Sequence, residues 1–238
     1  MKLAPVLAAS ALLALVACAS KTEEPEQDRG LEGDGVGAAA AAPDVNPEGI
    51  PYPSDNIGTL ERKGSKPGNR IKNFKFMGYR NGDPSQGLQP LSLAEFYDPN
   101  GVRPWRILHI QATGVWCTYC RAETRLVVPL KDELEARGVY WLVSVAEGPT
   151  MGTPSKQKDL DGWIAEFKSP FTHVLDPSNA NLGPFYDRTA LPWNANIDTR
   201  TMEILTTGTG AAANKEELLE KLDKALELAA KSTLDKSE

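Results

Sequence analysis

The chain of 238 residues predicts an α/β fold, a sandwich built around a central mixed sheet flanked by helices. Three observations predict it. Strand-like and helix-like runs alternate over residues 71–231. One of them, Val139 to Val145, is continuously apolar and rich in β-branched and aromatic residues, which suits a buried parallel strand. Finally, Cys117 and Cys120 stand one helical turn apart, where the apolar run Ile107 to Ala112 gives way to a helix starting near Thr118.

The elements follow in order. Ile71 to Tyr79 reads as a strand with Phe74 and Phe76 on one face. Ile107 to Ala112 is the strand before the cysteines. After them Leu126, Val127, Leu130 and Leu134 recur at helical spacing, and the run ends near Gly138. A helix with Leu160, Trp163, Ile164 and Phe167 precedes a strand from Phe171 to Leu175. Trp193 to Ile197 and Met202 to Thr206 read as a hairpin, joined through Asp198-Thr199-Arg200-Thr201. The last helix begins at Asn214, a good cap with Glu217 three residues on, and carries the stripe Leu218, Leu222, Ala225 and Ala229.

Ahead of this domain the chain changes character twice. Lys2 and the apolar run Leu3 to Ala17 form an export signal, shorter than the ~20 residues a membrane span needs. The run ends Leu15-Val16-Ala17-Cys18, which looks like a bacterial lipobox, so signal cleavage after residue 17 leaves Cys18 lipidated at the new N-terminus. Several acyl chains, at ~0.8 kcal/mol per buried CH₂, anchor stably where one is marginal. Ala19 is not the aspartate of inner-membrane retention, which favours the outer membrane. Residues 18–47 are acidic and then Gly- and Ala-rich, with little apolar surface to offset chain entropy, so a disordered tether spanning roughly 30 Å is expected. Residues 48–70 form an irregular Pro- and Gly-punctuated lead-in, and residues 232–238 a flexible tail.

The chemistry concentrates in Trp116-Cys117-Thr118-Tyr119-Cys120. Of the three cysteines in the chain, Cys18 belongs to the targeting segment, so the folded part owns this pair alone. At a helix start, Cys117 meets unpaired N–H groups and the positive end of the dipole, which favour a thiolate nucleophile. Cys120, one turn deeper and more shielded, is the resolving thiol. A zinc site is the competing use of such a pair, but structural zinc needs four ligands, and only His109 and His173 remain to complete one. A structural disulfide closing so short a loop constrains the unfolded chain little. Redox work is the preferred reading, with no metal and no cofactor. The formal net charge of −6 argues against a nucleic-acid partner, and no P-loop, GxGxxG or HExxH pattern occurs.

At these residues the chain resembles the thioredoxin superfamily, most closely its extracytoplasmic TlpA-like branch of redoxin-type thiol-disulfide oxidoreductases. The match lies in Leu91-Ser92-Leu93-Ala94-Glu95-Phe96, in Arg106 to Thr113, and in Trp116-Cys117-Thr118-Tyr119-Cys120-Arg121-Ala122-Glu123. It extends from about Gly68 to Lys231. The resemblance implies a thioredoxin-like sandwich with an extra N-terminal strand region and an inserted helix and strand. It also implies a cis-proline at Leu191-Pro192, facing the dithiol and presenting the preceding backbone to a partner polypeptide, with Trp116 beside the reactive sulfur.

Three departures from the family pattern limit the transfer. Gln111 stands where thioredoxins keep a buried acid, and Glu123 is the substitute for proton transfer, unless it is a solvent-facing helix residue. Arg125 replaces a helix-kinking proline, and Pro129 displaces the kink or breaks the helix. Thr118-Tyr119 is a dipeptide that assigns no redox potential, so the direction of transfer is not encoded here. Implied partners are exported proteins with thiols or disulfides, and a membrane or periplasmic electron donor. Reduction or isomerisation is the preferred direction. A peroxiredoxin needs P-x-x-x-[TS]-x-x-C, and Ile110 and Gly114 occupy those positions. The alternative outside catalysis is a metallochaperone or a binding lipoprotein with a thioredoxin-like domain.

Overall fold

A computed structural model describes residues 42–58 and 64–232. The expected export signal, the expected lipidation site Cys18, most of the expected tether and residues 233–238 lie outside the described residues.

Seven strands make one sheet: β1 (Lys75–Tyr79), β2 (Gln89–Ser92), β3 (Ile107–Gly114), β4 (Val139–Glu147), β5 (Thr172–Leu175), β6 (Trp193–Asp198) and β7 (Ile204–Thr209). Their order is β2-β1-β5-β4-β3-β6-β7. β3, β4 and β5 run parallel, and the remaining pairings are antiparallel. The sheet is therefore mixed, as expected, with its continuously apolar strand β4 between two parallel neighbours. Helices α1 (Thr118–Val127), α2 (Lys131–Ala136), α3 (Gln157–Phe167) and α4 (Lys215–Ala229) supply the flanking layers. Among the described residues, no helix is long and apolar enough to cross a membrane.

Strand alternation sorts the core. Leu108, Ile110 and Ala112 of β3 pack in the apolar cluster that contains both cysteines, Leu191 and Trp193. The intervening residues Ile107, His109, Gln111 and Thr113 face the other way. Ile107 joins Val127, Trp141, Val143 and the α4 stripe Leu218, Leu222, Ala225 and Ala229 there. β3 is buried along its whole length, so the polar His109 and Gln111 sit inside the protein, and each must find a partner.

Several boundaries differ from the sequence expectation, each for a physical reason. β1 starts at Lys75 rather than Ile71, because Ile71 N–H donates to Met202 O (2.9 Å), carrying that part of the chain to the far hairpin. Phe74 and Phe76 still pack in one cluster. β2 was not expected; its Pro90 is tolerated on an edge strand. β7 starts at Ile204 because Met202, at φ +56°, closes the hairpin turn onto Asp198 O (2.7 Å). Pro129 lies in a 3-10 turn, Val128–Leu130, that separates α1 from α2, so the helix breaks there.

The expected tether also ends earlier than residue 47. Asn46 is buried, with its Nδ2 donating to Tyr97 O (3.0 Å), and Ser92 Oγ donates to Pro43 O (2.7 Å). Chain from residue 42 onward is thus fixed to the domain by paired polar groups rather than left in solvent.

Candidate active site

Cys117 is the N-cap of α1, and its sulfur accepts the Cys120 N–H at 3.1 Å. The helix therefore begins on the sulfur itself, and the N-terminal amides that favour a thiolate face it. The two cysteines are joined as a disulfide with Cα atoms 5.3 Å apart. Cys120 is fully buried as expected, but Cys117 is only 2% exposed, so the nucleophile too is nearly covered. Tyr119, between them, is 71% exposed.

Trp116 and Leu191 meet just ahead of Cys117 for a steric reason. A Cβ on Gly114 would come within 2.8 Å of Trp116 Nε1 and 3.3 Å of Leu191 Cδ1, so glycine at the end of β3 lets both side chains close over that position. Leu191-Pro192 is cis and leads directly into β6. Trp116 and Leu191 thereby meet at the end of β3, the strand that leads to Cys117, and Pro192 follows Leu191 directly.

Glu123 is not solvent-facing. It lies one helical turn beyond Cys120 on α1, a spacing that brings two Cβ atoms to about 5–6 Å. Its carboxylate is 2% exposed and accepts Gln111 Nε2 at 2.7 Å, Asn194 Nδ2 at 3.2 Å and, more weakly, Ala212 N at 3.4 Å. Burial pushes the Glu123 carboxyl above its ordinary range, against the pull of those hydrogen bonds and of the Lys221 charge. Gln111 and Glu123, considered separately in the sequence, are direct partners. Gln111 Oε1 also accepts Trp141 Nε1 at 3.3 Å.

Asn194 links this pair to His109. Its Oδ1 lies 3.0 Å from His109 Nε2, while Asn196 Oδ1 lies 2.8 Å from Nδ1. Asn194 Nδ2 is engaged by Glu123 and Asn196 Nδ2 donates to Thr206 Oγ1, so an amide oxygen faces each ring nitrogen, and the neutral ring can donate to only one of them. The imidazole stacks on Trp141 at 3.7 Å, and burial lowers its pKa to about 4, so it is neutral at pH 7. A cavity of about 290 Å³ between β6, β7 and α4 is lined by Glu123, His109, Asn194, Asn196, Lys221 and Lys224, among others. It gives Glu123 an outlet on the side away from the apolar cluster around the sulfurs.

The second histidine is elsewhere engaged. His173 Nδ1 donates to Phe171 O at 2.8 Å within the buried strand β5. Among the described residues, no group of three or more His, Cys, Asp or Glu is placed to hold a metal ion.

Sequence reasoning missed Glu147, Asn179, Asn194 and His109 as members of the site. Glu147 ends β4 with 4% exposure and accepts the Trp116 indole N–H at 2.6 Å. An acid closing a continuous apolar strand was the one available signal. The contacts of Asn179 with Glu147, of Asn194 with Glu123 and of His109 with Asn194 span 32, 71 and 85 residues of sequence.

Neither a family model nor a curated protein sequence matches this chain. Solved structures do. A Chlorobium tepidum protein assigned as thiol:disulfide interchange protein DsbE aligns at 16% identity and TM-score 0.50, over 69% of this chain and 98% of its own. AhpC from Enterococcus faecalis aligns at 13% identity and TM-score 0.51, over 68% of this chain and 92% of its own. The thioredoxin domain of a thiol-disulfide oxidoreductase from Bacteroides vulgatus aligns at 16% identity and TM-score 0.48, over 67% and 96%. At these identities the likeness concerns the fold, which is thioredoxin-like.

Proposed function

We propose that this thioredoxin-fold chain is a protein thiol-disulfide oxidoreductase that works through Cys117 and Cys120, in the reducing or isomerising direction. The observation that carries the reading is a disulfide whose first sulfur caps α1 while a buried carboxyl lies one turn behind the second. In the reduced protein, the Cys117 thiolate attacks one sulfur of a partner disulfide. A mixed disulfide forms, and the other partner sulfur leaves as a thiolate. Glu123 takes the proton from Cys120, whose thiolate then attacks Cys117 Sγ. The second partner sulfur leaves, and the Cys117–Cys120 disulfide holds the electron deficit. A dithiol donor resets it by the reverse exchange, in which Cys120 leaves as a thiolate and takes a proton back from Glu123, while the cavity beside Lys221 lets Glu123 exchange protons with solvent between turnovers.

The partner chain docks in extended form along the backbone at Leu191-Pro192, beside Trp116. The setting is the bacterial cell envelope, with the domain tethered through lipidated Cys18 to a membrane, the outer one preferred, and its partners are exported proteins. The motif Leu15-Val16-Ala17-Cys18 supports this placement.

Oxidised insulin tests the activity. The purified protein with a dithiol donor reduces it, and Cys117→Ser abolishes turnover; intact turnover in that variant ends the proposal. Equilibration against glutathione sets the direction, since about −270 mV matches a reductant and about −120 mV an oxidant.

A further inference from the structure

Glu147 touches more than the indole. The oxygen that accepts Trp116 Nε1 also accepts the Gly152 amide at 2.9 Å, and the other carboxylate oxygen accepts Asn179 Nδ2 at 3.3 Å. Three segments distant in sequence thus end on one side chain. The first carries Trp116 next to Cys117. The second is the turn after β4, whose Met151 is 53% exposed. The third is reached through Asn179, which accepts the Tyr186 hydroxyl; Tyr186 in turn stacks on Trp193 at 5.3 Å, directly after cis-Pro192.

The support is built at some cost to the backbone. Ser178 and Asn179 are consecutive non-glycine residues at φ +57° and +58°, a conformation side chains rarely adopt. Asn179 is 1% exposed and Glu147 4%, so every donor around this carboxylate would lose its acceptor if the carboxylate were removed.

We propose that Glu147 is a positioning residue: it fixes Trp116 and the Met151-bearing turn as one apolar surface beside Cys117, and ties that surface to the cis-Pro192 loop against which a protein disulfide docks. The role rests on the oxidoreductase reading. It predicts discrimination between substrates, because a small disulfide needs only the sulfurs whereas a polypeptide needs the surface.

The test compares insulin with hydroxyethyl disulfide. Glu147→Leu removes all acceptors, and its ratio of kcat/KM for insulin to that for hydroxyethyl disulfide is expected to fall about tenfold, mostly through KM. Glu147→Gln keeps an oxygen for Trp116 and Gly152, and Asn179 can turn its amide to meet the new NH₂. This variant should restore the ratio to within about threefold. Equal losses on both substrates, or a Gln variant no better than Leu, overturn the role.

A readout independent of activity covers a Leu variant that fails to fold. In the Met151→Ser and Trp116→Phe variants, the Gly152 amide should stay protected from hydrogen exchange, because Glu147 remains. In Glu147→Gln the Trp116 indole and Gly152 amide resonances should shift together. Independent behaviour of the two resonances overturns the shared acceptor. A wild-type protein inactive on both disulfides instead overturns the oxidoreductase reading, and the resonances still judge Glu147.

Discussion

Two buried carboxylates stand near the dithiol, and the roles proposed for them differ although their chemistry is the same. Glu123 and Glu147 are 2% and 4% exposed, and each accepts from three donors. Each gathers its donors from three segments. Those of Glu123 are side-chain amides on β3 and β6 and the Ala212 N–H ahead of α4, and the carboxylate lines a cavity. Those of Glu147 include the indole next to Cys117 and the turn after β4. A buried acid beside a reactive centre therefore has no role set by burial alone. Whether it moves a proton or holds a scaffold depends on what its partners are attached to and on a route to solvent.

The largest difference should appear in kinetics. Glu123→Gln is expected to lower kcat for insulin reduction about a hundredfold, the ordinary scale of a lost proton-transfer group. It should also erase the limb of the pH–rate profile that rises as Glu123 loses its proton, a limb lying above the usual carboxylate range. Substitution of Glu147 acts on docking and should leave that limb in place. A Glu123→Gln variant with the wild-type profile would remove the contrast between the two acids.

Stability offers a second, smaller separation. The folded-state pKa of Glu123 is raised, so its proton favours the folded state fully below the unfolded value of about 4.3. That contribution is lost as pH climbs through the folded pKa, because the unfolded chain ionises more readily. The Tm of the wild type minus that of Glu123→Gln should therefore decline as pH rises from about 4. A difference that grows with pH contradicts a desolvated carboxyl at this position.

The smallest effect belongs to the cavity mouth. The charge on Lys221 pulls the Glu123 pKa down, so Lys221→Gln should move the kinetic limb to higher pH without changing the plateau rate. A shift to lower pH would place the outlet elsewhere.

What sequence revealed and concealed follows the same division. β3, the start of α1, β4 and the N-cap of α4 depend on local period and local breakers, and they appear where expected. Glu123 was singled out through the family resemblance alone, since its position on a helix left a solvent-facing side chain equally open. The pairing of β2 with β1 was not expected, since a four-residue strand containing Pro90 exists only through its neighbour. Residues 42–47 look like tether by composition, yet Asn46 finds Tyr97 across 51 positions. Glu147 gathers the donors Trp116 and Asn179 from 31 and 32 residues away. Neither periodicity nor spacing encodes such encounters, which arise only after the sheet has closed.

The near-total burial of Cys117 implies, on the proposed oxidoreductase reading, a site that acts as a sieve. A disulfide embedded in a rigid partner would then fail to bring its own sulfur into line for attack, whereas a slack or locally opened strand would reach it. Foldedness of the client, rather than the identity of its cysteines, would then decide which bonds are exchanged.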